Sequence, residues 1–128
     1  MDNTVSHHNS PKKVLIAEDE ETMAKVMENK LQKAGFDAHA VFNGNEAMAE
    51  LESGNYSLVL LDLMMPEKNG WDVMTFIKDK GINTKVIVTS NLSQDEDKVK
   101  AKEYGAVGFL VKADSSLASI VQEVESHF

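Results

Sequence analysis

The chain predicts an α/β domain: a five-stranded parallel sheet, strand order 2-1-3-4-5, wound on both faces by five helices. Two observations carry this. Strand-like and helix-like segments alternate five times along the sequence with short connections, the pattern that builds a doubly wound sheet three layers deep. The run Tyr56-Ser57-Leu58-Val59-Leu60-Leu61 is also too continuously apolar for a strand with one wet face. It reads as a strand covered by helices on both sides.

Each element follows from local pattern. Val14-Leu15-Ile16-Ala17 is a short apolar strand. Met23, Val26, Met27, Leu31 and Ala34 recur at helical spacing, with Gly35 placed to end the helix. Asp37 to Phe42 is a mixed strand suited to an edge, and Asn43 to Ser53 is a helix with Ala47, Met48 and Leu51 on one face, stopped by Gly54. After the central strand, Pro66 and Gly70 mark a loop, and a helix from about Gly70 to Lys80 buries Val73 and Ile77 before Gly81. Lys85-Val86-Ile87-Val88-Thr89 is the fourth strand. Ser93-Gln94-Asp95-Glu96 has capping-box spacing and opens a fourth helix to about Tyr104, which offers only Val99, Ala101 and Tyr104 as apolar groups. Val107 to Val111 is the fifth strand. Leu117, Ile120, Val121, Val124 and Phe128 predict an amphipathic final helix.

At 128 residues the chain fits one domain, read as residues 13–128 behind a polar, flexible tail of residues 1–12. Without cysteine it has neither disulfides nor thiolate chemistry, which suits the cytoplasm. No stretch has the apolar length of a membrane span. A net charge of −8 disfavours direct contact with nucleic acid. The four histidines offer no metal-ligand spacing, the methionines at helical spacing are core filler, and Trp71 and Phe76 are packing groups.

Chemistry gathers at one rim. Glu18 and Asp19 follow the first strand, Asp62 the third, Thr89 the fourth and Lys112 the fifth, and open α/β sheets place their sites at carboxyl ends of strands. Clustered carboxylates with an open side suit Mg²⁺. Lys112 adds a movable positive charge and Thr89 a hydroxyl donor. Together these groups fit attack of a carboxylate on phosphorus, and Asp62, between the acid pair and the Thr/Lys pair, is the candidate nucleophile.

Leu15-Ile16-Ala17-Glu18-Asp19-Glu20, Leu60-Leu61-Asp62-Leu63-Met64-Met65-Pro66 with Gly70, Val86-Ile87-Val88-Thr89-Ser90 and Gly108-Phe109-Leu110-Val111-Lys112 together resemble the response regulator receiver domain, from about Lys13 to the C-terminus. The resemblance implies the flavodoxin-like receiver fold, of the single-domain chemotaxis-regulator kind. It implies Asp62 as phosphoacceptor, Glu18, Asp19, Asp62 and the Met64 backbone carbonyl as Mg²⁺ ligands, Thr89 and Lys112 on the phosphoryl oxygens, and Phe109 as a switch aromatic. The implied donor is a phosphohistidine on a sensor histidine kinase or histidine phosphotransfer protein. The implied output is a downstream protein, or a second copy, on the face formed by the fourth helix, fifth strand and fifth helix (α4-β5-α5). The chain is then a phosphorelay switch and no enzyme beyond its own phosphotransfer and autodephosphorylation, either stand-alone or a piece of a larger protein.

Three positions depart from the family pattern. Glu18 stands where Asp is usual, Ser90 where a small Ala is common, and Ala113 follows Lys112 where a cis-Pro is usual. A non-prolyl cis bond costs about 2.5–4 kcal/mol, so either the bond is trans and the loop is remodelled, or the fold carries that cost. The alternative function is a pseudo-receiver, an interaction module independent of phosphorylation. A phosphatase of this topology would need a second acid after the nucleophile, which Leu63-Met64-Met65 lacks. A nucleotide binder would want Gly, Ser or Thr where Glu18-Asp19-Glu20-Glu21 stands.

Overall fold

The computed structural model describes residues 12–91 and 95–128. Apart from an exposed Lys12, the expected tail lies outside the described residues, as do Ser93 and Gln94 of the expected capping box. The elements run β1 (Lys13–Ala17), α1 (Glu21–Lys33), β2 (Asp37–Val41), α2 (Gly44–Ser53), β3 (Leu58–Asp62), α3 (Gly70–Lys80), β4 (Lys85–Ser90), α4 (Asp95–Glu103), β5 (Gly108–Val111), a 3₁₀ turn (Lys112–Asp114) and α5 (Leu117–Glu125). The strands are parallel and ordered β2-β1-β3-β4-β5, as the sequence predicts.

Alternation along each strand divides the core into two layers. Val14, Ile16, Leu58, Leu60 and Ile87 pack with Met27 and Leu31 of α1 and Ile120 and Val124 of α5. Leu15, Ala17, Val59, Leu61, Val86 and Val88 pack with Leu51 of α2, Val73 and Ile77 of α3 and Ala101 of α4. All five β3 residues are buried. Removing one large side chain there, for example Leu60→Ala, should cost about 2–5 kcal/mol.

The segment that follows β3 is fixed by two local devices. Asn69 caps α3 by accepting a hydrogen bond from the Asp72 N–H while the Asp72 carboxylate accepts from the Asn69 N–H, both at 3.0 Å. Gly70 then passes so close to β3 that an added Cβ would lie 2.7 Å from the Asp62 carbonyl oxygen and 2.8 Å from Leu63 Cα. Glu67 adopts a φ of 68°, rare without glycine, and its carboxylate accepts from Asn45 Nδ2 at 2.8 Å.

One expectation is corrected, the weak packing of the fourth helix is met, and one open choice is resolved. The last helix ends at Glu125, so Phe128 is not on its apolar stripe. Its ring lies against Phe36 at 5.5 Å, where Lys85 donates to the His127 carbonyl and holds the chain end against the sheet. α4 buries only Ala101; Val99 and Tyr104 stay exposed, the latter against Trp71 at 5.0 Å. The described residues contain no cis peptide bond, so Lys112–Ala113 is trans and the loop is the remodelled part, turning through the 3₁₀ segment into α5.

Gly70→Ala is expected to lower stability by about 1–3 kcal/mol, because backbone rather than a flexible side chain must yield to the new methyl. Urea unfolding measures this; an unchanged midpoint would mean the α3 entry tolerates displacement.

Candidate active site

Strand register assembles the site. Asp62 is the direct partner of Thr89 across β3 and β4, and Ala17 is level with Leu61, so Glu18 falls beside Asp62 at the next step. Val111 is opposite Ser90, which brings Lys112 out at the same rim one residue later. The five positions expected to converge do so, at the carboxyl ends of β1, β3, β4 and β5.

Their environments differ. Glu18, Asp62 and Thr89 are 1–3 % exposed, whereas Asp19 faces solvent. Carboxylate oxygens of Glu18, Asp19 and Asp62 all lie within 4.8 Å of one another. Lys112 Nζ donates to Glu18 Oε1 at 2.5 Å and to Asp62 Oδ2 at 3.1 Å, its side chain 15 % exposed. The Met64 N–H donates to Asp62 Oδ1 at 3.1 Å, and the Glu20 N–H donates to Glu18 Oε2 at 3.0 Å. Glu18 thus satisfies a backbone donor just before α1, whose N-cap residue Glu20 makes no side-chain cap of its own. Glu18 therefore stands both at the start of α1 and in the acidic cluster.

Electrostatics follows from this burial. Desolvation pushes the Asp62 carboxyl from its ordinary 3.8 up to about 6, and the Glu18 charge adds to the rise. Hydrogen bonds from the Met64 N–H and Lys112 work against it. Burial disfavours the Lys112 ammonium, yet the contacts with Glu18 and Asp62 outweigh that and raise its pKa. Three acids against one ammonium leave a net formal charge of −2 at the rim (3 − 1). The donor set is all oxygen and partly solvent-facing, which fits a hard divalent cation.

Of the remaining expected residues, Met64 sits in the loop with its side chain exposed, and Phe109 is partly buried against the α2–α4 layer. Thr89 and Lys112 also line a cavity of about 210 Å³ between α1 and α5, whose walls are mainly Met23, Val26, Met27, Leu110, Leu117 and Ile120. Sequence reasoning missed three contributors: the Met64 N–H, the Glu18–Lys112 contact and the Gly70 approach. The first two are backbone or long-range contacts with no motif of their own. Gly70 did signal a loop, though not its closeness to Asp62.

The raised Asp62 pKa has a stability consequence. Between about 4 and 6 the folded protein keeps a proton that the unfolded chain has released, so stability falls as pH rises through this window. In metal-free buffer, Asp62→Asn is therefore expected to stabilise the protein at pH 7.5, by up to roughly 3 kcal/mol. The gain should shrink towards zero as the pH falls to about 4. Thermal melts at several pH values with a chelator present check this; a variant equally destabilised at every pH would contradict it.

Comparison with known proteins agrees with the geometry. The family model described as the response regulator receiver domain matches residues 14–125. The transcriptional regulatory protein DltR of Streptococcus agalactiae is 32% identical over 111 residues, covering 84% of this chain and 50% of its own length. The transcriptional regulatory protein CiaR of Streptococcus pneumoniae is 39% identical over 100 residues, covering 78% of this chain and 44% of its own. The chain thus spans about half the length of these curated relatives. Among solved structures, the receiver domain of the Francisella response regulator 1452 superposes with a TM-score of 0.85 at 30% identity, covering 90% of this chain and 94% of that one. On this match, from its first strand to the last turn of its final helix, the chain belongs to the response regulator receiver domain family.

Proposed function

We propose that this receiver domain accepts a phosphoryl group on Asp62 and uses it as a conformational switch. The observation that carries this reading is the buried Asp62 carboxylate held 3.1 Å from the Lys112 ammonium, within 4.8 Å of two further acids, and in register with Thr89. A carboxylate oxygen of Asp62 attacks phosphorus, the P–N bond to a donor imidazole breaks, and the imidazole leaves with the electron pair. Lys112 and the Thr89 hydroxyl are placed to hold the oxygens of the transferred group. Mg²⁺ would be held by Glu18, Asp19 and Asp62, with the Met64 carbonyl as the further ligand this reading expects, and would there supply positive charge to the carboxylates and the phosphoryl oxygens. Its presence would also favour the ionised Asp62 that burial opposes.

The donor in this reading is a sensor histidine kinase or a histidine phosphotransfer protein. The output runs through α4, β5 and α5. α4 buries only Ala101, so little apolar packing resists its displacement. Phe109, on β5 and packed at the α4 side of the sheet, would turn in this reading as Thr89 closes on the phosphoryl group. A downstream protein or a second copy would read that face. With a net charge of −8 the domain itself would avoid the DNA backbone. No helix among the described residues is long and apolar enough to cross a membrane, and a cytoplasmic setting suits a kinase-fed switch. Nothing in this scheme turns over an external substrate beyond the domain's own phosphotransfer and autodephosphorylation.

Incubation with acetyl phosphate and Mg²⁺ followed by intact-mass measurement should show a single phosphoryl adduct, absent from Asp62→Asn and strongly reduced in Lys112→Ala. An unmodified wild-type mass, with no spectral response to beryllofluoride, would favour the phosphorylation-independent interaction module instead.

A further inference from the structure

The loop after Asp62 is a closed ring. The Gly70 N–H donates to the Leu63 carbonyl at 3.0 Å and joins its two ends. Inside it the Lys68 N–H donates to the Pro66 carbonyl at 2.8 Å across Glu67, whose φ is 68°. This is a γ-turn of the positive-φ form, which is rare and strained. A residue with a side chain rests there when its surroundings hold it. One such hold is visible: Asn45 Nδ2, in the first turn of α2, donates to Glu67 Oε1 at 2.8 Å across 22 positions of sequence. The same end of α2 presses on the next residue, since a Cβ on Gly44 would collide with the Lys68 carbonyl oxygen.

We infer that Asn45 is a positioning residue for the Asp62 site: by holding the Glu67 carboxylate it keeps this loop in its γ-turn and so fixes the Met64 backbone beside Asp62. The inference rests on the role proposed for Asp62 and its cation. In a closed ring, a change of φ at one residue is taken up by the others. Leu63 and Met65 are anchored by buried side chains, Pro66 has its φ fixed by its own ring, and Gly44 blocks Lys68. Asn69 is tied down by the capping box of α3. Met64 has no anchor of that kind and its side chain is exposed, so its peptide groups absorb the movement. Those peptide groups face the chemistry. The Met64 N–H donates to Asp62 Oδ1 at 3.1 Å, and the Met64 carbonyl is the further cation ligand of the proposed function. Asn45, exposed on a separate helix, thereby bears on the site without touching it.

A double-mutant cycle tests this with wild type, N45A, E67G and N45A/E67G, each checked by circular dichroism and urea unfolding. Mg²⁺ affinity is measured by titration calorimetry on the 128-residue chain at fixed pH and salt. N45A should weaken Mg²⁺ binding about fivefold, the scale of one net hydrogen bond. In the E67G background N45A should leave the affinity unchanged, because glycine takes a positive φ unaided and offers no carboxylate to hold. The swap N45D/E67Q reverses the hydrogen bond at the same net charge and should bind Mg²⁺ within about twofold of wild type. Without metal, the Met64 amide proton resonance should move in N45A and return towards its wild-type position in the swap.

An N45A protein that loses stability yet binds Mg²⁺ like wild type shows a staple for the fold alone, and overturns the inference while leaving the cation site intact. Equal weakening by N45A in both backgrounds also overturns it. If wild type itself binds no Mg²⁺, the cation site fails, and the Met64 resonance decides on Asn45: unmoved in N45A, it overturns the inference too. If N45A does not fold, Glu67→Ala takes its place. That variant should weaken binding at least as much, and wild-type affinity there overturns the inference.

Discussion

A carboxylate must be ionised to act as a nucleophile, and burial opposes ionisation; the role proposed for Asp62 turns on that conflict. The residue lies at the end of a strand with no exposed positions, between two helical layers, where desolvation lifts its pKa to about 6. Lys112 answers the charge from one side and the Met64 N–H from the other. Both answers depend on the sheet. Register sets Asp62 against Thr89 and brings Lys112 out of β5 at the same rim, so a shift of one residue in any of three strands would dismantle the site.

The same conflict explains why the site is costly to keep and useful to have. Two buried acids sharing one ammonium form a network in which each partner constrains the others, and losing the ammonium would leave both acids uncompensated. A network of this kind has few arrangements of similar energy, and moving one charge forces the others to re-pair. Adding a phosphoryl group is such a move. In the proposed function the responding end is α4, attached by the single buried Ala101 and by Tyr104 resting on Trp71, with Lys100 over the Trp71 ring at 4.3 Å. Tight packing around Asp62 and sparse packing at α4 suit that proposal, in which one end holds the chemistry still while the other shifts.

Much of this was legible in the sequence. Apolar runs in parallel strands are continuous, so β1, β3 and β4 stood out, and Gly35, Gly54 and Gly81 marked helix ends. Polar residues immediately after such runs, namely Glu18, Asp62, Thr89 and Lys112, named the rim, because in this topology strand ends are also site positions. What did not show was anything decided by partners distant in sequence. The pairing of Lys112 with Glu18 needs the sheet first. The chain leaves the α5 helix at Glu125 because Lys85 and Phe36 hold the last residues elsewhere. The Lys112–Ala113 step could be read as one of two geometries, and the 3₁₀ turn shows which one this sequence takes.

Two of the three departures from the family pattern, Glu18 and Ala113, bear on Lys112. Ala113 lets the chain turn through a trans bond directly after Lys112, and Glu18 supplies the reach that meets the lysine. The most direct test of this account is a high-resolution structure of the domain with Mg²⁺ and beryllofluoride. The account predicts a fluoroberyllate on Asp62, Lys112 Nζ on its fluorines, and a cation among Glu18, Asp19 and Asp62. A structure with Asp62 unmodified and no cation among the three acids would contradict it.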